Sequence, residues 1–220
     1  FASKANLQAI IKKQAVSYLL MFTSSVGFLY CLMQSSIPLH LVIAALLLTM
    51  LYAIPLLPLR FLKFTRRAGV LKTILLAFTW AFVTVIIPLQ KDYMLLNGAD
   101  LFILSRRFLF MLMLCIIFDN RDKDLDKIRG LRSLATDLSP AMLRVLIWTI
   151  FILLFSSNFL FRNYGITLEQ SVALQVSTIA LLIVYFYSTK KQGYLFYYFF
   201  VDGMMLFSAL ATYLAGIINA

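Results

Sequence analysis

Seven apolar segments, each long enough to cross a lipid bilayer, follow one another through most of this chain. They cover residues 14–33, 37–58, 70–89, 100–118, 140–161, 168–187 and 194–218. An apolar run of about 20 residues spans the hydrocarbon core as a helix, because a helix satisfies its backbone polar groups within the segment. The sequence therefore predicts an all-α fold, a polytopic transmembrane helical bundle.

The composition leaves little material for a soluble domain. Of the 220 residues, 62% are hydrophobic and 13% are charged, whereas an ordinary soluble domain is about 25% charged. No linker rich in proline, glycine or serine divides the chain. We therefore predict a single membrane-embedded domain over residues 1–220.

Basic residues are distributed unevenly between the two sides of the predicted bundle. Most of the 20 Lys and Arg residues lie in the N-terminal stretch, in 60–72, in 119–139 and in 188–193, which all fall on one side. The positive-inside rule makes that side cytoplasmic, and it places the loops at 59–69 and 119–139 there. The net charge of +11 therefore reflects insertion into a bilayer, and we predict no nucleic-acid partner.

Three aspartates, Asp119, Asp122 and Asp126, are the strongest indication of chemistry. On a helix they share a stripe about 60° wide, whereas Asp124 points away. Carboxylates this close repel one another unless a cation lies between them. Mg²⁺ held by carboxylates usually completes its shell with water and substrate phosphates. The spacing therefore predicts a Mg²⁺ site formed by these three residues.

A solvated loop with balanced charge is the main alternative. Arg121, Lys123 and Lys127 are interleaved with the aspartates and could neutralise them locally. Charge balance does not, however, require the glycine, serine and leucine that follow at fixed spacing. An EF-hand loop beginning at Asp122 is excluded. Its sixth position is Lys127 and its twelfth is Ser133, whereas an EF-hand needs glycine and glutamate there.

The pattern D-x-x-D-x-x-x-D-x-x-x-G-x-x-S-L over residues 119–134 resembles the second aspartate-rich motif of the UbiA family of intramembrane prenyltransferases. The positions of that motif are filled by Asp119, Asp122, Asp126, Gly130, Ser133 and Leu134. The resemblance implies a UbiA-like bundle with seven spans visible of an expected nine. The family's first aspartate motif lies between spans two and three, and no acidic residue precedes Asp92. We therefore expect a prenyltransferase-like domain truncated at its N-terminus.

The resemblance also implies a reaction: Mg²⁺-dependent transfer of a prenyl group from a polyprenyl diphosphate to a lipophilic or aromatic acceptor within the membrane. The three aspartates would be the catalytic residues and the metal ligands. The diphosphate would be bound by Arg60, Lys63, Lys123 and Arg129. An allylic cation would face the aromatic rings of Tyr52 and Trp80. The identity of the acceptor stays open.

Other interpretations also stay open. The rival function is that of a non-catalytic membrane protein, a transporter or a degenerate relative, whose acidic loop binds a cation or a partner. Asp202, inside the last span, is either a functional intramembrane acid or a donor and acceptor between helices. For Arg106 and Arg107 in the fourth span, we expect at least one side chain to reach the membrane interface.

Overall fold

The computed structural model describes residues 4–34, 37–53, 69–89, 96–128, 130, 132–160 and 166–217, and it describes side chains from residue 14 onward except at 52 and 53. The chain forms two compact units, Phe1–Leu39 and His40–Ala220. Every regular element within these ranges is a helix. The prediction of an all-α fold is therefore confirmed.

Eight helices follow one another along the described residues. They are α1 (Lys4–Gln34), α2 (Leu39–Ala53), α3 (Gly69–Leu89), α4 (Gly98–Ile128), α5 (Leu134–Asp137), α6 (Pro140–Leu160), α7 (Leu168–Ser188) and α8 (Phe196–Ile217). Six helices are long and apolar enough to cross a membrane: residues Gln14–Gln34 of α1, and α3, α4, α6, α7 and α8. Their number supports a multi-pass membrane protein. The predicted segment 37–58 is helical through Ala53, and the rest of it lies outside the described residues.

The start of α6 follows from local sequence. Pro140 is its first residue, and the backbone N–H of Met142 donates a hydrogen bond of 3.2 Å to the Ser139 hydroxyl. A proline tolerates the first helical position because its missing N–H would have no intrahelical partner there. Ser139 therefore caps the N-terminus of α6, and Pro140 occupies its first position.

Helix α4 is the central helix of the second unit. It packs against α3, α5, α6 and α7, and residues 110–117 are buried without interruption. A helix that is apolar on all sides is stable only when neighbours surround it. The apolar segment ends at 118, but α4 continues to Ile128. Once a helix is nucleated, each further residue adds a hydrogen bond whether or not it is apolar. The acidic motif therefore lies on the last turns of a buried helix.

Two stretches of π-helix interrupt otherwise regular helices. One spans Phe82–Ile86 in α3, and the other spans Phe196–Val201 at the start of α8. Such wider turns occur often at functional sites. Thr84 and Val85 of the first stretch line one cavity, and Asp202, the residue after the second stretch, lines another; the two cavities lie beside opposite halves of α4.

Candidate active site

The first cavity has a volume of about 290 Å³ and lies between α3, α8 and the C-terminal half of α4. Its lining is divided by chemistry. Polar side chains are supplied by Lys72, Thr73, Asp119, Arg121, Asp122, Asp126 and Asp202. Apolar side chains are supplied by Leu76, Trp80, Met111, Leu114, Cys115, Phe118 and Met205. We call it the carboxylate cavity.

The three motif aspartates all line this cavity, whereas Asp124 is exposed and does not. On one helix, Asp122 is separated along the axis by about 4.5 Å from Asp119 and about 6 Å from Asp126. Asp119 and Asp126 are about 10.5 Å apart along the same axis. Mg²⁺ binds oxygen at about 2.1 Å. An ion shared by two of these carboxylates therefore has to use Asp122.

Asp119 is held in place by two donors on other elements. The Thr73 hydroxyl of α3 donates a hydrogen bond of 2.5 Å to its Oδ2, and the backbone N–H of Leu134 donates one of 3.2 Å to the same oxygen. No described residue donates to Oδ1. The carboxylate is thus fixed through one oxygen and can use the other toward a ligand.

The residues that follow the aspartates in the motif build this arrangement. Gly130 has a φ of 64°, a left-handed conformation that side chains with a Cβ disfavour. Gly69 begins α3, where a Cβ would lie 2.5 Å from the backbone of Arg132 and Ser133. Two glycines therefore let the chain turn back and press against α3. That contact places the backbone N–H of Leu134 within hydrogen-bond distance of Asp119.

Asp122 is neutralised by its neighbour Arg121. The Nε and one terminal nitrogen of Arg121 donate to the two oxygens of Asp122, at 2.7 and 2.8 Å. The guanidinium also lies over three rings, 4.9 Å from the centre of Phe118, 5.2 Å from Tyr197 and 5.6 Å from Tyr198. Cation–π contacts of this kind stabilise a guanidinium in a dry environment. The central carboxylate is therefore engaged before any ligand binds.

The remaining charged side chains of the cavity differ in their surroundings. Asp126 forms no hydrogen bond or ion pair with any described residue. Asp202 lies at the end of the π-helical stretch in α8 and is attracted electrostatically to Arg121. Lys72 is half-buried and attracts Asp119. Asp202 thus belongs to the cavity, which favours the functional interpretation of this intramembrane acid.

The carboxylates of the cavity differ from a preformed metal site but suit Mg²⁺. In the part of the chain that the structure describes, no three His, Cys, Asp or Glu side chains converge closely enough to hold a metal ion. The donor set nevertheless fits Mg²⁺, which proteins usually bind through one or two carboxylates together with substrate phosphates. Asp122 with Asp119 or with Asp126 would supply that pair. Asp122 must then leave Arg121.

The other residues predicted for the site are distributed as follows. Trp80 lines the carboxylate cavity, with an exposed fraction of 44%. Lys123 does not: it lies in a separate depression of about 200 Å³ beside Arg144. The side chain of Tyr52, and all of Arg60, Lys63 and Arg129, lie outside the described residues. Their predicted roles stay predictions.

Four polar or charged residues of the carboxylate cavity were not among the predicted site residues: Lys72, Thr73, Arg121 and Asp202. A sequence signal existed for three of them, since Asp202 is an acid inside a predicted span. Lys72 lies four and eight residues before Leu76 and Trp80, so these positions share one face of a helix. Thr73 is adjacent to that face. For Arg121 the sequence indicates only local charge balance with the aspartates, and on a helical wheel it points away from the aspartate stripe.

Comparisons of the chain with protein-family models, with curated proteins and with solved structures give no match. The resemblance to the UbiA family therefore rests on the motif at 119–134 and stays a prediction. What the protein does has to be argued from the carboxylate cavity itself.

Proposed function

We propose that this protein is a UbiA-like prenyltransferase, which binds a polyprenyl diphosphate in the carboxylate cavity and transfers the prenyl group to an acceptor in the membrane. One observation carries the proposal: a single cavity joins the motif aspartates and two cations to an apolar, aromatic wall. An allylic diphosphate has the same division, since a multiply charged head is attached to a hydrocarbon tail. The acceptor is lipophilic or aromatic.

Mg²⁺ is the cofactor in this proposal, held by Asp122 together with Asp119 or Asp126. When bound, the ion would neutralise negative charge that develops on the diphosphate as it leaves. Asp119 is suited to this position because Thr73 and the N–H of Leu134 fix its orientation. Preorganised ligands bind without a further loss of side-chain freedom.

Arg121 has two partners in turn under this proposal. Without substrate, it forms the bidentate pair with Asp122. A diphosphate in the cavity offers the guanidinium another bidentate acceptor, and the exchange releases Asp122 for the metal. Lys72 lies on the same cavity and adds a second positive charge. Substrate binding and metal binding therefore support each other.

The reaction itself needs few protein groups. The bond between the allylic carbon and the diphosphate oxygen breaks, and both electrons leave with the diphosphate. A nucleophilic atom of the acceptor forms the new bond to that carbon and loses a proton to water. The ring of Trp80 lies on the apolar wall, where its π face can stabilise positive charge on the allylic group.

The experiment uses the full chain in lipid nanodiscs with an allylic diphosphate such as geranylgeranyl diphosphate. Release of diphosphate is measured with and without Mg²⁺ and across a panel of aromatic and lipid acceptors. We expect Mg²⁺-dependent release, lowered about 100-fold or more in Asp122→Asn, because transition-state charge stabilisation is lost. The matched control is Asp124→Asn, which changes the same charge on an exposed position and should retain activity within about twofold.

A non-catalytic cation-binding protein is the second candidate. One observation favours it: the ion pair with Arg121 already neutralises Asp122, the carboxylate that a catalytic Mg²⁺ would need. Under this alternative, Mg²⁺ or the diphosphate binds, but no acceptor in the panel gives release. Equal loss of cation binding in Asp122→Asn and Asp124→Asn would indicate general charge density instead of a defined site.

A further inference from the structure

A second cavity, with a volume of about 310 Å³, lies on the other half of α4. It is bordered by α3, α4, α7 and α8, and its polar lining consists of Thr84, Arg106, Arg107, Ser208 and Thr212. None of the described residues that line it is acidic. Arg106 and Asp119 are separated by about 19 Å along α4. We call this second site the arginine cavity.

Both arginine side chains are directed across the bundle. Arg106 is 8% exposed, and its Nε donates a hydrogen bond of 3.0 Å to the Ser157 hydroxyl of α6. The Nε of Arg107 donates one of 3.3 Å to the Thr84 hydroxyl of α3, and its guanidinium carbon lies 5.7 Å from the ring centre of Phe110. Both guanidinium groups thus bond to hydroxyls on neighbouring helices, and the expectation that at least one of them reaches the membrane interface stays a prediction.

The described lining of the arginine cavity carries two positive charges and no acid. Two adjacent guanidinium groups repel each other, and burial disfavours the charge of each. The Thr84 hydroxyl that meets Arg107 is a neutral acceptor and removes none of that charge. The two terminal nitrogens of Arg107 make no hydrogen bond with any described residue. Intramembrane charges of this kind usually mark a ligand or ion site.

We propose that the arginine cavity binds the phosphate group of an anionic molecule. A guanidinium presents a planar fork that matches phosphate oxygens in pairs, and such charge-assisted bonds are the strongest that side chains form. The apolar part of the lining, Val85, Ile103, Phe110 and Leu174, suits a hydrocarbon portion beside the phosphate. Basic pockets between membrane helices bind lipid headgroups in this way. The ligand is therefore a lipid phosphate or free phosphate.

Calorimetry can show whether the bound phosphate belongs to a lipid or is the free ion. Three probes are titrated into the detergent-solubilised chain: dihexanoyl phosphatidic acid, inorganic phosphate and uncharged dihexanoylglycerol. Phosphatidic acid binding alone assigns the site to a lipid headgroup, and similar binding of inorganic phosphate assigns it to the free ion. Either result supports the proposal. If neither phosphate binds, or if dihexanoylglycerol binds as tightly as phosphatidic acid, the proposal is overturned.

Variants then locate the binding. Arg107→Gln should weaken phosphate binding about tenfold or more, as expected for loss of a charge-assisted pair. Arg144→Gln is the matched control, since Arg144 is exposed and lies on neither cavity, and it should bind within about twofold of wild type. Ala209→Leu occupies part of the cavity without changing charge, so it tests the site even if Arg107→Gln does not fold. Unchanged binding in a folded variant of either kind overturns the assignment.

Discussion

The carboxylate cavity and the arginine cavity share helix α4 but are lined by net charges of opposite sign. In the carboxylate cavity, the described lining supplies four acids, the motif aspartates and Asp202, and two cations, Lys72 and Arg121. In the arginine cavity, the described lining supplies two positive charges and no acid. In the carboxylate cavity, Asp122 is paired with Arg121, and we propose that this pair exchanges partners when a ligand binds. In the arginine cavity, the described hydrogen-bond partner of Arg107 is the neutral hydroxyl of Thr84, so an anion would stabilise that guanidinium directly. The two halves of α4 therefore border cavities whose described linings differ in the sign of their net charge.

Removal of divalent metal should give the largest difference between the two cavities. In the presence of EDTA, the affinity for a non-reactive thio analogue of geranylgeranyl diphosphate should fall about 100-fold, because the aspartates then repel the diphosphate instead of sharing Mg²⁺ with it. Binding of dihexanoyl phosphatidic acid should change less than about twofold, since no described acid lines the arginine cavity. Calorimetry with each ligand measures both effects. If EDTA weakens the binding of both ligands equally, the two cavities do not differ in their dependence on metal.

Gly69→Ala should damage the carboxylate cavity through the backbone alone. The added Cβ would lie 2.5 Å from backbone atoms of Arg132 and Ser133, so the turn that carries Leu134 must move away from Asp119. We expect a loss of about 1–3 kcal/mol in stability, typical of overpacking, together with weaker Mg²⁺-dependent diphosphate binding. Thermal unfolding and calorimetry measure the two effects.

Gly203→Ala is the control for this substitution, because nothing lies within 4 Å of a Cβ at Gly203. Replacing a helical glycine by alanine without a clash should raise stability by up to about 1 kcal/mol. If both variants behave alike, the close contact between Gly69 and the turn is not important for the site.

The sequence predicts the helices well because membrane spans are set by length and hydropathy. It misses the last ten residues of α4, since hydropathy locates the lipid boundary and a helix can continue beyond it. It also does not identify what Arg106 and Arg107 bond to. Their hydrogen-bond partners, Ser157 and Thr84, lie 51 and 23 residues away in sequence, and such pairings depend on tertiary packing.

Within the candidate site, helix phase alone does not identify the cation that lines the carboxylate cavity. On a helical wheel, Lys123 lies about 70° from the middle of the aspartate stripe and Arg121 about 130° from it. Arg121 nevertheless lines the carboxylate cavity, because its long side chain stacks on Tyr197 and Tyr198 of α8 and pairs with Asp122. Lys123 faces α6 and α7 instead. Contacts with other helices decide the direction of a long side chain.

Arg121→Gln tests the proposed exchange, in which Arg121 leaves Asp122 to bind the diphosphate and Asp122 becomes free for Mg²⁺. Without Arg121, Asp122 loses its ion pair, so Mg²⁺ alone should bind about three to ten times more tightly. Diphosphate binding at saturating Mg²⁺ should weaken by a similar factor, because one cationic partner is lost. Calorimetry measures the affinity for Mg²⁺ alone and then the affinity for diphosphate at saturating Mg²⁺.

Arg132→Gln is the control for this prediction, since Arg132 forms its own ion pair with Asp137 and does not line the carboxylate cavity. It should leave both affinities within about twofold of wild type. If Arg121→Gln weakens Mg²⁺ and diphosphate binding together, Arg121 only stabilises the fold of the cavity and does not exchange partners.

The smallest effect is expected at the support of Asp119. Thr73→Val keeps the shape of the side chain but removes the hydroxyl that donates to Asp119 at 2.5 Å. A hydrogen bond to a charged group contributes about 1.5–3 kcal/mol, but Leu134 still holds the same oxygen, so we expect Mg²⁺ affinity in the presence of diphosphate to fall about fivefold. Thr79→Val is the matched control on α3, because the Thr79 hydroxyl donates only to the backbone carbonyl of Leu75 and should affect Mg²⁺ binding by less than about twofold. Thr73→Ser keeps the hydroxyl and should restore most of the lost affinity, whereas a purely structural role for Thr73 would leave the serine variant as weak as the valine variant.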